Sequence, residues 1–242
     1  MTAARYQRYA IYWLPPEGGA LADFGTRWLG QGKAGPGRRR KTAKAAANPA
    51  PELPAEMVER ITADPRRYGL HATLKAPFRL KEKVAQAELV ERLTRFAAGR
   101  RAFASSPLAL TDLSGFLALT PAQPDPRLDA LAHQCVVAFD SCREPLTASE
   151  RARRLATGLT PHQHLLMEMW GYPYVLSEFR FHVTLTGRLK AAERKVVEPV
   201  LAVATAPLCV GPLAIDGIAL VGDPGDGYPF EVVCRCPLAS RD

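Results

Sequence analysis

No run in the 242 residues approaches the roughly 18 consecutive apolar residues that a membrane-spanning helix needs. The first apolar run, 9–14, stops at Pro15-Pro16 with no small-residue cleavage site behind it, so a secretory leader is not expected. Cysteine is scarce. The five residues are an odd number without metal-type spacing, and Cys234-x-Cys236 falls in an alternating apolar run. Reduced, mostly core thiols and a cytoplasmic location are the expectation. Aromatics make up 8%, charged residues 23% and apolar residues 47%, an ordinary globular balance that excludes wholesale disorder or a fibrous repeat. The length suits one large domain or two small ones.

Acidic residues are missing from one place in particular. The formal net charge is +8, and residues 1–50 hold nine of the basic and two of the acidic residues. Six basic side chains and no acidic one fall in 33–44, a Gly/Pro-studded stretch that reads as a solvated loop over about 33–50. The rest of the chain is close to neutral, which is not the composition of a basic nucleic-acid-binding domain.

What the chain does have is an internal repeat. RYAIYWLPP reads as a first strand over 7–14, 21–29 as a short helix, and 55–61 as another. HATLKAPFRL begins at His71 and HVTLTGRL at His182. Each is followed by a helical pattern, with Leu89, Val90, Leu93, Phe96 and Ala97 on one face in the first. Val196, Val197, Val200, Leu201 and Ala204 share a face in the second. Each helix leads through Pro-Leu-Ala to two short strands: 108–112 with 116–120, then 213–221 with 230–236. The expectation is one α+β domain over 1–242, a bilobal duplicated strand–helix–hairpin with antiparallel sheets around a central cleft. Lobe 1 would span about 60–122 and lobe 2 about 175–240. The segment 126–170 should be helical and pack on them, with capping boxes at Thr147-x-x-Glu150 and Thr160-Pro161-x-Gln163 and Gly171 past the end.

Both opening strands carry His-x-Thr-Leu, as His71-Ala-Thr73-Leu74 and His182-Val-Thr184-Leu185. Side chains two apart on a strand share a face, so each histidine stands beside its threonine. Two imidazoles whose ordinary pKa lies near neutrality can act as one base and one acid on opposite sides of a phosphorus atom. Two threonine hydroxyls can donate to the non-bridging oxygens, where charge builds up. Strand phase and proximity add Lys75, Tyr12 and Arg180 as secondary candidates. The scheme uses no metal and no cofactor.

On these motifs the chain resembles the two-histidine (2H) phosphoesterase superfamily. RYAIYWLPP, DPRRYGLHATLKAPFRL, GFLALTP and GYPYVLSEFRFHVTLTGRL resemble, more narrowly, a bacterial branch, DUF1045, associated with phosphonate metabolism. The resemblance covers essentially the whole chain outside 33–56. It implies metal-independent phosphodiester or cyclic phosphate chemistry on a phosphorylated sugar or related metabolite. His71 and His182 match the superfamily's catalytic positions, and Thr73 and Thr184 its phosphate-binding ones.

Three other readings compete with this one. His162-x-His164 with His133 suggests zinc, but helix positions i and i+2 lie about 200° apart and cannot chelate one ion. An enzyme on RNA ends or 2′,3′-cyclic nucleotides is the nearest alternative. A non-catalytic phosphometabolite or RNA-binding protein is the third, although the basic loop lacks the aromatics that stack bases. The expected partner is a small phosphorylated metabolite, with no membrane and a monomeric state.

Overall fold

The opening apolar run forms strand β1 (Arg8–Trp13). Its alternation sends Tyr9, Ile11 and Trp13 into the main core and Ala10 and Tyr12 to the opposite face. This computed structural model describes residues 6–30 and 48–240, and the basic segment 33–44 lies outside them. Helices α1 (Ala20–Leu29), α2 (Ala55–Ile61) and α3 (Ala63–Arg66) lead to strand β2 (Ala72–Phe78) and helix α4 (Gln86–Ala98). Strand β3 (Phe103–Ser105) and the hairpin β4 (Leu108–Asp112) and β5 (Leu117–Pro121) follow. Then come three helices, α5 (Pro126–Ala138), α6 (Ala148–Leu155) and α7 (Pro161–Trp170). The second half consists of the two-residue strand β6 (Val183–Thr184), helix α8 (Ala191–Thr205), strand β7 (Leu213–Ile215), and the hairpin β8 (Gly217–Asp223) and β9 (Glu231–Pro237).

The expected α+β class is the observed one, and the strands of all three sheets pair antiparallel. Helix α4 buries Leu89, Leu93, Phe96 and Ala97, the face its 3.6-residue period marks out. Helix α8 buries Val197 and Leu201 but leaves Val196 exposed, with Thr205 turned inward instead. Both capping boxes form, and Gly171 ends α7 at φ 77°. No disulfide links the five cysteines, of which Cys135, Cys142 and Cys236 are buried.

Strand pairing does not follow the sequence repeats. The four-stranded sheet runs β2-β1-β8-β9, so the first motif strand shares a sheet with the second repeat's hairpin. The three-stranded sheet runs β4-β5-β6, so the second motif strand extends the first repeat's hairpin. Lobes drawn as 60–122 and 175–240 therefore differ from the sheets as built. The physical reason is that a hairpin satisfies its inner edge locally and leaves its outer edge open to any strand of matching register. Here β1 inserts between β2 and β8 and satisfies an edge of each. The expected strand 213–221 is likewise two strands: β7 leaves to pair with β3, and the Asp216 carbonyl between β7 and β8 accepts from the Leu238 amide.

Candidate functional site

His71 stands at the entrance to β2, just after the turn at Gly69, whose φ of 75° is one that glycine adopts without strain. The imidazole Nδ1–H donates to the Gly69 carbonyl at 2.8 Å, and the Thr73 hydroxyl lies 3.1 Å from Nε2. Tying down Nδ1 fixes the neutral tautomer, so Nε2 carries the lone pair. Tyr12, opposite Thr73 in the β1–β2 register, stacks on the imidazole with ring centres 3.9 Å apart and planes inclined by 26°.

His182 is held by the same device. Its Nδ1–H donates to the Arg180 carbonyl at 2.7 Å, again two residues upstream. Leu185 and Thr186 amides both donate to the Leu117 carbonyl, and the buried Thr186 hydroxyl accepts from the Leu117 amide at 3.0 Å. Trp28 Nε1 donates to the Leu185 carbonyl at 2.7 Å. Phe181, beside His182, packs against Trp13 with ring centres 5.7 Å apart. The two end residues of β1 thus serve both motifs: Tyr12 touches His71, and Trp13 holds the segment carrying His182.

Burial acts on both imidazoles. Burial pushes His71 down to about 4, against the upward pull of the Gly69 carbonyl, and the charge of His182 pushes it further down. His182 is also pushed down by burial, against the pull of the Arg180 carbonyl. Burial pushes the Tyr12 phenol well up. Burial thus favours the neutral form of both imidazoles, with His71 Nε2 in contact with the Thr73 hydroxyl.

Of the residues singled out from sequence, His71, Thr73 and Tyr12 are in direct contact, and His182 is in electrostatic contact with His71. Thr184 lies on β6, two residues past His182, and is half-buried. Lys75 continues the face of Thr73 but is diverted. Its ammonium is buried, donates to the Val136 carbonyl in α5 at 3.0 Å, and lies 3.9 Å from Asp140. Burial pushes it down to about 8, with Asp140 opposing. Lys75 anchors α5 to β2. Arg180 is exposed, and its carbonyl, rather than its guanidinium, meets His182. The three histidines of the zinc reading are engaged separately: His162 with Ser177, His164 with Glu168, and His133 with the Leu176 carbonyl. Among the described residues no three His, Cys, Asp or Glu side chains are grouped to share a metal ion.

Sequence reading missed the neighbours. Tyr68 lies 5.9 Å from His71 and 5.0 Å from Phe230, and Phe230 lies 6.2 Å from Tyr12, all between ring centres. Behind them the buried Asp223 carboxylate accepts from Arg8 and from Arg67, each at 3.0 Å. Tyr68 and Arg67 were legible as neighbours of His71 in DPRRYGLHATL, whereas nothing local marked Phe230 or Asp223. Two cavities of about 310 and 330 Å³ lie elsewhere, beside β8–β9 and beside α7, and neither is lined by either motif histidine.

A profile of the DUF1045 family, described as a protein of unknown function, matches residues 73–231. The chain belongs to the DUF1045 family. The matched span of this DUF1045 chain includes Thr73, His182 and Thr184, with His71 two residues ahead of it. Two similar curated proteins are named ribose 1,5-bisphosphate phosphokinase PhnN. The one from Janthinobacterium sp. (strain Marseille) is 36% identical over 241 residues, covering 97% of this chain and 51% of the relative. The one from Laribacter hongkongensis (strain HLHK9) is 34% identical over 230 residues, covering 94% and 51%. The chain thus spans about half the length of the curated relatives it matches. Among solved structures, E. coli LigT complexed with 3′-AMP aligns at TM-score 0.46 and 15% identity, covering 96% of this chain and 98% of that one. E. coli LigT complexed with phosphate aligns at TM-score 0.44 and 13% identity, covering 98% and 99%. No helix among the described residues is long and apolar enough to cross a membrane.

Proposed function

We propose that this chain is a phosphoesterase of the two-histidine type, acting on a phosphodiester or cyclic phosphate of a phosphorylated sugar or related metabolite. The observation that carries this reading is the matched pair of imidazoles. Each is tied by Nδ1–H to the carbonyl two residues upstream and each lies two residues before a threonine, His71 also feeling the charge of His182. In the free site both rings are neutral and ready to accept a proton. An anionic phosphoryl group bound between them favours protonation of one ring, because opposite charge nearby stabilises imidazolium. The neutral ring then takes a proton from water as its oxygen attacks phosphorus. The P–O ester bond breaks, and the imidazolium gives its proton to the leaving oxygen. Thr73 and Thr184 donate to the non-bridging oxygens as negative charge accumulates there. No step requires a metal ion.

The relatives' name, a ribose bisphosphate kinase, supports a phosphorylated sugar of phosphonate metabolism as the substrate class. It does not carry a kinase mechanism to this chain, whose sequence contains no Gly-x₄-Gly-Lys-Ser/Thr phosphate loop. The test is hydrolysis of a panel of sugar cyclic phosphates and nucleoside 2′,3′-cyclic phosphates in EDTA. H71A and H182A should each lower the rate by about 10²–10⁴-fold, the usual contribution of a general acid or base. Wild-type rates in both variants, or activity abolished by EDTA and restored by zinc, would overturn the proposal.

A further inference from the structure

We propose that Tyr12, Tyr68 and Phe230 are positioning residues whose rings make His71 the proton acceptor of the pair and leave His182 as the proton donor. The inference rests on the phosphoesterase reading of the site and gives its proton transfers a direction.

The rings of His71, Tyr12, Phe230 and Tyr68 form a closed circuit. Tyr12 stacks on His71 with ring centres 3.9 Å apart, and Phe230 lies 6.2 Å from Tyr12. Tyr68 lies 5.0 Å from Phe230 and 5.9 Å from His71, which closes the loop. Arg67 backs the outer two rings, its guanidinium 6.0 Å from the centre of Tyr68 and 5.8 Å from that of Phe230. That guanidinium donates to the buried Asp223 carboxylate, which Arg8 also engages. The Phe230 amide donates to the Arg67 carbonyl at 2.9 Å, so the turn before β2 and the start of β9 are tied together.

The circuit acts on His71 by replacing water, which an imidazolium needs more than a neutral imidazole does. The face of Tyr12 attracts a cation, but more weakly than the displaced water would. Hydrogen bonding works in the same direction. With Nδ1–H committed to the Gly69 carbonyl, the Thr73 hydroxyl 3.1 Å away meets the lone pair on Nε2, and a donor there favours the neutral ring. Among the described residues no carboxylate touches His71 to favour the charged form. The downward push of burial on His71, to about 4, agrees with this packing.

His182 has the equivalent Nδ1–H bond but no such brace. Among the described residues its Nε2 has no hydrogen-bond partner, and the one ring beside it is Phe116, 5.9 Å away and inclined by 59°. A proton drawn in with an anionic phosphoryl group therefore settles on His182. The Thr73 hydroxyl turns to a phosphoryl oxygen and frees His71 Nε2. Water then gives a proton to that nitrogen as its oxygen bonds to phosphorus. The ester P–O bond breaks, and the His182 proton passes to the leaving oxygen.

The experiment is an NMR titration of the full chain with labelled histidines, without ligand, the signals being assigned through H71N and H182N. His71 should titrate at lower pH than His182. Tyr68 and Phe230 are only half-buried, so their removal is tolerable. Y68A and F230A should each raise the His71 midpoint by about 1 in pH and leave that of His182 in place, whereas Y68F should restore the wild-type value. On any cyclic phosphate that is turned over, the acid limb of kcat/KM should move with the His71 midpoint. A His71 midpoint at or above that of His182, or one unmoved in both alanine variants, would overturn the proposal. An acid limb that stays while His71 moves also overturns it, and leaves the phosphoesterase reading standing. Midpoints as expected with no ester hydrolysed by any form sink the phosphoesterase reading, and the role of proton acceptor with it.

Discussion

Replacing His71 with asparagine should flatten the acid side of the protein's stability profile. His71 is held at about 4 in the folded chain, chiefly by burial, against about 6.5 in a free side chain. A depressed value means that the unfolded chain binds the proton more readily. The stability contribution is therefore fully present above pH 6.5 and is lost as pH falls towards 4. Linkage over that window amounts to about 2 kcal/mol lost between pH 7.5 and 5, from the ratio of the two binding polynomials. His71 keeps some contact with solvent, which screens part of the penalty, so about 1–2 kcal/mol is the expected loss. H71N removes the titration while its side-chain amide can still donate to the Gly69 carbonyl. Urea unfolding of both proteins at pH 7.5 and pH 5 is the assay. The carboxylates and the other histidines titrate in both proteins and cancel in the comparison. Wild type should lose about 1–2 kcal/mol more than H71N on acidification. Equal losses, or a smaller loss in wild type, would refute the placement of His71 in a desolvated, neutral state.

Two further outcomes test the supports of the motifs. A methyl group at Gly25 would lie 2.6 Å from Leu70 Cβ, the residue before His71. G25A should therefore force α1 away from that turn and cost about 1–3 kcal/mol, the usual range for overpacking, read as a lower urea midpoint. T186V keeps the shape of a fully buried side chain but takes the acceptor away from the Leu117 amide. It should cost about 1–3 kcal/mol in the same assay, with T186S recovering most of it. A neutral T186V would show that the bridge from β5 to the second motif is dispensable.

Much of this molecule is written locally. The period-2 alternation of β1, the 3.6-residue face of α4 and the caps at Thr147 and Thr160 are near-neighbour chemistry, so each was legible before any coordinates. The pairing of His71 with Thr73 was legible for the same reason, since neighbours two apart on a strand share a face wherever that strand ends up. Strand phase also assigned Lys75 a face, but phase does not say what covers the face. Helix α5, some sixty residues later, captures the ammonium. Arg180 shows the complementary limit: the sequence names a side chain, whereas here the contribution to His182 comes from the backbone.

The exchange of hairpins between the two repeats was decided only in three dimensions. Both hairpins have similar open edges, and the choice rests on β1 fitting between β2 and β8 while β6 extends β5. Local pattern alone marks two equivalent histidines, each with its threonine, at the heads of two strands. Only the folded chain sets Tyr12 against the first imidazole and Trp13 against Phe181 beside the second, because long-range packing depends on distances that no local pattern encodes.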